Sequence, residues 1–140
     1  MTTCIVVCTD DSGRYAGVVQ EAVRRAADDG AKVILYDLTA PGTLTSARPN
    51  EWAGEGEAEV YDRPLDPVLI EKMGRHEFAL QVERARQAGA DAYGWLPDEK
   101  GAEGLANYAA RENADLVLLP ADLDDPEYDS ALTGVEVARI

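Results

Sequence analysis

Four short runs rich in apolar residues, separated by turn and helical patterns, constrain the fold of this chain more than any other feature. They are Cys4–Cys8, Lys32–Leu38, Ala90–Leu96 and Asp115–Leu119. Runs without strict polar alternation indicate strands buried on both faces, as in parallel sheets. A final stretch, Val135–Ile140, alternates with period two and predicts an edge strand. The sequence therefore predicts an α/β domain built on an open, mostly parallel five-stranded sheet with helices on both faces.

The segments between the predicted strands carry helical patterns. Apolar residues recur at helical spacing over residues 15–26, and Gly30 is expected to end this helix. Asp11 or Ser12 is expected to cap the start of the same helix, because short polar side chains accept hydrogen bonds from first-turn amides. In the next helical segment Gly74 separates two apolar patches. This segment is predicted to be either one bent helix or two shorter helices.

Two irregular segments interrupt the alternation of strands and helices. Residues 41–64 form an acidic insertion rich in Pro, Gly and Glu, which predicts either a functional flap or a solvated excursion. A regular helix is predicted again over residues 100–113. Residues 121–134 then form an altered acidic loop. The few residues between Pro120 and the last predicted strand indicate that a helix there is either lost or reduced to a turn.

Acidic residues dominate the charge, and this limits the partners of the chain. The 140 residues include 27 Asp and Glu against 13 Lys and Arg, for a net charge of −14. Such a surface repels phosphate backbones and anionic lipids, so neither nucleic acid nor membrane is an expected partner. No apolar run approaches the ~18 residues of a membrane span, and no basic stretch precedes the first run. We therefore expect a single cytoplasmic domain, and the acidity fits either a high-salt protein or an ordinary acidic one.

The residues that most often carry catalysis are sparse. Cys4 and Cys8 would lie about 13 Å apart on one strand, too far for a disulfide, and are expected to be small buried hydrophobes. Together with the one histidine, His76, they make no zinc site. No Ser/His/Asp set, P-loop or dinucleotide glycine pattern is present. A phosphate-accepting regulator would need a lysine after its fifth strand, and none follows Lys100. A non-enzymatic domain is expected.

Carboxylates cluster at the predicted carboxyl ends of two strands, which is where open α/β sheets bind ligands. Two interpretations of Asp10 and Asp11 stay open. Asp11 can cap the first helix while Asp10 closes the turn before it. Alternatively, four aspartates could converge and hold Mg²⁺ or Ca²⁺ through hard oxygen ligands. The residues of that candidate metal site are Asp10, Asp11, Asp122 and Asp124.

Several short motifs together resemble the universal stress protein family. Residues 5–12 (IVVCTDDS) are similar to the family's first strand, which ends in an aspartate followed two residues later by a serine. Residues 28–36 resemble its second unit. The closest stretch comprises residues 87–91, 101–109 and 113–119. The resemblance implies a Rossmann-like fold, a stress-response or regulatory role, and a homodimer paired through the C-terminal strand.

The resemblance also implies a nucleotide site, with Asp10 near the adenine base. The residues that would contact a nucleotide are Thr9, Asp10, Ser12, Leu38 and Pro120. ATP-binding members follow the fourth strand with Gly-x-x-Gly and, nine residues later, Gly-Ser or Gly-Thr. Here residues 120–125 read PADLDD, and no glycine follows until Gly134. We therefore expect ATP binding to be lost or altered, with no cofactor; the alternative is a variant that binds ATP with Mg²⁺, or another nucleotide or divalent metal, at a non-standard phosphate site.

Overall fold

The structure is a computed structural model that describes residues 3–39, 64–97, 101–123 and 126–140. Its strands are β1 (Cys4–Thr9), β2 (Lys32–Asp37), β3 (Asp91–Trp95), β4 (Leu116–Leu119) and β5 (Glu136–Arg139). Its helices are α1 (Ala16–Asp29), α2 (Pro67–Lys72), α3 (His76–Gln87), α4 (Gly101–Arg111) and α5 (Pro126–Ala131). No helix in these ranges is both long and apolar enough to cross a membrane.

The five strands form one sheet in the order β3-β2-β1-β4-β5, and every neighbouring pair is parallel. The predicted α/β fold with a mostly parallel five-stranded sheet is confirmed. The chain first adds β2 and β3 on one side of β1, and then adds β4 and β5 on the other. The strand order therefore reverses between β1 and β4, which is the point where ligands bind in sheets of this type.

The sheet separates two apolar cores, which explains why the strand runs are continuous. Ile5 and Val7 of β1 pack into the core that α1 and α3 cover. Val6 and Cys8 point the other way, into the core beneath α4. Every residue of β1 is buried as a result. Both cysteines, Cys4 and Cys8, are buried free thiols, as expected from the sequence.

The helix ends agree with the sequence in two places and depart from it in a third. Gly30 ends α1 in the left-handed region (φ 67°), and Gly74 (φ 83°) separates α2 from α3, so the two-helix alternative is correct. The predicted cap of α1 is wrong. Its N-cap residue is Tyr15, and no side chain caps it. Residues 11–15 form bends and turns before the helix begins, which places Asp11 and Ser12 too early in the chain to cap it.

Gly94 in β3 marks a close packing contact between the strand and the helices that cover it. A Cβ built there would lie 2.5 Å from Ile70 Cδ1 and 2.9 Å from Phe78 Cε2. Leu65, just before α2, bonds to the same glycine in both directions, with N···O distances of 2.7 and 2.8 Å. The missing side chain leaves room for the Ile70 and Phe78 side chains to pack directly on the strand.

The segment before β5 also differs from the prediction. Residues 126–131 form the short helix α5, so the element expected to be only a turn keeps a six-residue helix. Tyr128 and Leu132 pack against the core on the α4 side. This packing stabilises the helical conformation of a segment that is otherwise polar and acidic. The remainder of the altered loop includes Asp124, which lies outside the described residues, as does nearly all of the 41–64 insertion.

Candidate functional site

The candidate site lies at the carboxyl ends of β1 and β4, on either side of the point where the strand order reverses. Thr9 ends β1, and Asp10 follows it with 5% of its surface exposed. Pro120 follows β4 and is buried, whereas Asp122 two residues later is exposed. Parallel strands end at the same edge of the sheet, so these two segments form the walls of one crevice.

Asp10 is held by its own loop. Its Oδ1 accepts a hydrogen bond from the Ser12 hydroxyl at 2.5 Å, and its Oδ2 accepts one from Arg14 Nε at 3.1 Å. Arg14 keeps 63% of its side chain exposed, so part of the guanidinium remains open to the solvent. Asp10 is therefore charge-compensated within the chain, and Arg14 brings a cation to the mouth of the crevice.

Asp122 approaches the same place from β4. Burial raises the pKa of the Tyr15 phenol, Arg14 opposes the rise, and both Asp122 and Asp10 add to it. Tyr15 also donates a hydrogen bond to the Asp122 carboxylate. The structure thus brings Asp10, Ser12 and Asp122 together around Arg14 and Tyr15.

Asp11 does not join that group. Its Oδ1 accepts a hydrogen bond from the backbone N–H of Phe78 at 2.8 Å, in the first turn of α3. Its Oδ2 lies 3.9 Å from the guanidinium of Arg75. Asp11 therefore caps a helix that lies 67 residues along the chain, rather than the helix that follows it.

Gln81 joins α3 to the end of β1, and sequence reasoning missed it. Its Oε1 accepts a hydrogen bond from the Thr9 hydroxyl at 2.6 Å. Its Nε2 donates to the backbone oxygens of Asp10 and Ser12 at 2.7 and 2.8 Å. The side chain is 4% exposed, so the bonds to Thr9 and Asp10 are buried, and the bond to Ser12 is partly buried. The predicted nucleotide contact Thr9 thus has its hydroxyl committed to the fold.

A second set of polar side chains that sequence reasoning missed forms a hydrogen-bonded cluster at the end of β2. Asp37 is fully buried, and its carboxylate accepts hydrogen bonds from Arg75 Nε at 2.9 Å and from the Thr39 N–H at 3.0 Å. Its Oδ2 also lies 2.8 Å from Arg75 Nη2 in an ion pair. Burial raises the pKa of the Asp37 carboxyl, and Arg75 and Thr39 oppose that rise. Leu38 lies between these residues, and its N–H donates to the Thr9 carbonyl at 2.8 Å. These contacts fix the backbone at the predicted contact Leu38.

The backbone after β4 has few amides to offer a phosphate. Pro120 has no N–H, and the N–H of Ala121 donates to the Ile140 carbonyl at 2.9 Å. The N–H of Leu123 donates to the Pro120 carbonyl at 3.1 Å. Over residues 120–123 this leaves the N–H of Asp122, whose own side chain carries a negative charge.

The candidate metal site is assembled only in part. Within the described ranges no group of three or more His, Cys, Asp or Glu side chains is placed to hold a metal ion. Asp10 and Asp122 share the crevice, whereas Asp11 is turned toward α3. Asp124 lies outside the described residues, so the four-aspartate site stays a prediction.

The fold and the crevice define a Rossmann-like α/β domain with its ligand edge at β1 and β4. Residues 1–122 match the model of the universal stress protein family, and the chain belongs to that family. No curated protein matches the sequence at a significant level.

Solved structures support the same fold. A universal stress protein in complex with cAMP is 19% identical, with 99% of this chain and 96% of that chain covered and a TM-score of 0.62. The universal stress protein from Archaeoglobus fulgidus in complex with dAMP is 12% identical, with 100% and 98% covered and a TM-score of 0.62. A family member from Burkholderia pseudomallei is 19% identical, with 99% and 96% covered and a TM-score of 0.62.

Proposed function

We propose that this universal stress protein is a non-enzymatic, cytoplasmic regulatory domain that has lost the family's mode of ATP binding. The observation that carries the proposal is the backbone after β4. A triphosphate needs several converging N–H donors. In residues 120–123 proline supplies none, and two of the other three amides are bonded within the chain.

The charges of the crevice support the same proposal. Asp10 and Asp122 both act on the Tyr15 phenol, raising its pKa, and Arg14, which pairs with Asp10, is the cation beside them among the described residues. Each unscreened pair of like charges about 4 Å apart costs on the order of 1 kcal/mol even in bulk water. A triphosphate would bring several negative charges against two carboxylates, with one partly engaged guanidinium to offset them.

Calorimetric titration of the full chain with ATP tests the proposal, first in EDTA and then in excess Mg²⁺. Without metal we expect no binding tighter than about 1 mM, which corresponds to roughly −4 kcal/mol. Micromolar affinity in EDTA would contradict the proposal. Micromolar affinity that appears only with Mg²⁺ would favour the alternative, in which a divalent cation bridges the phosphates and the aspartates.

A second candidate function is binding of a nucleotide with a single phosphate. Two of the similar structures are described in complex with cAMP and dAMP, each of which carries one phosphate. Arg14 supplies one exposed cation at the crevice, enough to balance one phosphate group. Titration with AMP beside ATP separates the two candidates. If Arg14 serves this role, AMP binds more tightly than ATP without metal, and Arg14→Gln removes the preference.

We also propose that the chain forms a homodimer through β5. This strand lies at the end of the sheet, and its exposed edge can pair with a second copy. Ile140, which follows β5, exchanges hydrogen bonds with the β4 side, donating to Leu119 and accepting from Ala121. Because backbone groups alternate in direction along a strand, Val137 and Arg139 turn their N–H and C=O groups outward. Sedimentation of the full chain tests the proposal, and the predictions below include a strand variant.

A further inference from the structure

A groove of about 260 Å³ runs along the outer surface between α1 and α3. Val19 and Val23 of α1 and Ala85 of α3 form its apolar wall. Ala88 lies at its end and is exposed. None of the residues predicted to contact a nucleotide or a metal lines this groove among the parts of the chain that the structure describes. It is therefore a different surface from the crevice at the strand ends, although Gln81, which bonds to the end of β1, contributes to both.

The charge of the groove is opposite to that of the molecule as a whole. The chain has 27 acidic residues and a net charge of −14, yet no carboxylate from the described ranges lines the groove. The charged residue that these ranges place along it is Arg84, on an exposed position of α3. An anion that approached the groove would escape much of the repulsion present elsewhere on the surface.

Arg84 differs from other arginines on this face in having no acidic partner among the described residues. Its helical neighbours three and four positions away are uncharged, so no acid can reach it along α3. These neighbours are Leu80, Gln81, Gln87 and Ala88. Arg24 on α1, by contrast, is paired with Glu21 and lies 3.9 Å from Asp28. Across the parts of the chain that the structure describes, the Arg84 guanidinium makes neither an ion pair nor a side-chain hydrogen bond.

We propose that this groove binds a small amphipathic monocarboxylate, with its apolar chain against Val19, Val23 and Ala85 and its carboxylate against Arg84. Such a ligand requires an apolar wall for its chain and a cation for its carboxylate. The groove has both, since the cation at its rim, Arg84, has no partner among the described residues. The volume of about 260 Å³ lies just below the ~300 Å³ at which pockets for drug-sized ligands begin. A short-chain acid of the size of octanoate therefore fits the groove better than a long-chain lipid.

Titration of the full-length protein with octanoate, followed by NMR of the valine methyl groups, tests the proposal. We expect saturable shifts at Val19 and Val23, and no comparable shifts with octylammonium, which has the same chain and the opposite charge. Arg84→Gln is expected to weaken octanoate binding about three- to fivefold, as for a solvent-exposed ion pair. Arg111→Gln removes the same charge from α4, on the other side of the sheet, and is the matched control.

A second variant tests the apolar half of the site. Ala88→Leu fills the end of the groove at the exposed C-cap position of α3 and is expected to abolish the shifts while leaving the melting temperature unchanged. Absence of saturable binding, equal binding of octylammonium, or equal losses in the Arg84 and Arg111 variants would each overturn the proposal. If octanoate fails to bind and Ala88→Leu instead lowers the sedimentation coefficient, the groove is covered by a second copy and the proposal is also overturned.

Discussion

Strands β3 and β5 form the two edges of the sheet, and they differ in how far other residues cover their outer backbone groups. At β3, Leu65 bonds to both the N–H and the C=O of Gly94, and Arg86 Nε donates to the Ala92 carbonyl at 2.7 Å. Arg86 also lies over the Tyr93 ring at 5.0 Å. This edge is closed by Leu65, which precedes α2, and by Arg86 in the last turn of α3.

At β5 the described residues provide no such cover. The strand is four residues long and only partly buried, and within the described ranges its ladder partner is β4 alone. Arg139 is tied to Asp129 of α5 at 2.9 Å, but this is a side-chain contact and does not use the outer backbone groups of β5. Unpaired strand edges are sites of association. Among the described residues, the β3 edge is thus closed by contacts within the domain, whereas the outer backbone groups of β5 have no such cover.

The largest expected effect comes from breaking the closed edge at Gly94. Gly94→Ala is expected to destabilise the fold by about 3 kcal/mol, because the new Cβ would collide with the buried side chains of Ile70 and Phe78. Gly17→Ala, on an exposed turn of α1 with nothing within 4 Å, is the control and should stabilise by about 0.5–1 kcal/mol. Urea denaturation measures both.

A rescue variant makes this prediction more specific. Val in place of Ile70 removes the Cδ1 atom that lies 2.5 Å from the position a Cβ would take at residue 94. Ile70→Val alone costs about 0.5–1.5 kcal/mol. In the double variant with Gly94→Ala the combined cost should be less than the sum of the two separate costs. Full additivity would mean that this contact does not limit the packing at β3.

At the open edge, Val137→Pro is expected to disrupt the dimer and spare the fold. The N–H of residue 137 points away from β4, so proline removes a donor that no described residue of the same chain uses and that a second copy could use. Two such bonds in a symmetric interface correspond to a loss of about 2 kcal/mol, or roughly 30-fold in the dimer Kd. Sedimentation equilibrium measures this change. A wild-type protein that is monomeric at high concentration would contradict the comparison.

Ala138→Pro is the matched control for that variant. Its N–H points toward β4, so proline at this position removes a bond of the native sheet. We expect a larger fall in melting temperature for Ala138→Pro than for Val137→Pro, which loses only the packing of the partly buried Val137 side chain. Equal destabilisation by the two prolines would show that the backbone N–H and C=O groups of β5 do not alternate in direction as inferred from Ile140.

A smaller effect is expected from Arg86→Gln at the closed edge. This change removes the hydrogen bond to the Ala92 carbonyl and the contact with Tyr93, and should cost about 1 kcal/mol. Arg84→Gln on the same helix, which removes a guanidinium with no partner among the described residues, should change the free energy of unfolding very little. Chemical denaturation of the two variants side by side tests the difference.

The smallest effect is expected from weakening the ion pair between Arg139 of β5 and Asp129 of α5. Asp129→Asn weakens the pair with Arg139, in which the Asp129 side chain is 59% exposed, and should cost no more than about 0.5 kcal/mol. The loss should shrink further as salt is added, because exposed charge pairs are screened. A loss that is large and independent of salt would mean that α5 holds β5 more firmly than the geometry indicates.

Much of the fold could be predicted from short stretches of sequence. The strand and helix order, the parallel sheet, the break at Gly74 and the buried thiols all depend on patterns within about a dozen residues. Strands buried on both faces leave continuous apolar runs, and amphipathic helices repeat every three to four residues. The helix α5 was missed because its six residues are mostly polar, and packing of Tyr128 and Leu132 decides its conformation.

The candidate site was predicted less completely. Asp10, Ser12 and Asp122 do meet at the strand ends, as their positions after β1 and β4 indicated. The sequence offers Asp11 two roles, a cap of the helix that follows it or a metal ligand, but its amide partner, Phe78, lies 67 residues away. Gln81 and Arg75 carried no signal at all, because a polar residue on a helix looks the same in sequence whether it faces water or the end of a strand.

The sequence by itself thus determined which segments are strands and helices, the parallel character of the sheet, and the absence of a glycine-rich loop after β4. Only the tertiary structure decided which polar groups satisfy one another, that the β3 edge is closed by Leu65 and Arg86, and that two of the amides after β4 are already bonded. The reason is physical. Burial patterns are set locally by which side of each element faces the core, whereas hydrogen-bond partners are set by the path of the whole chain, which brings distant residues within about 3 Å of one another.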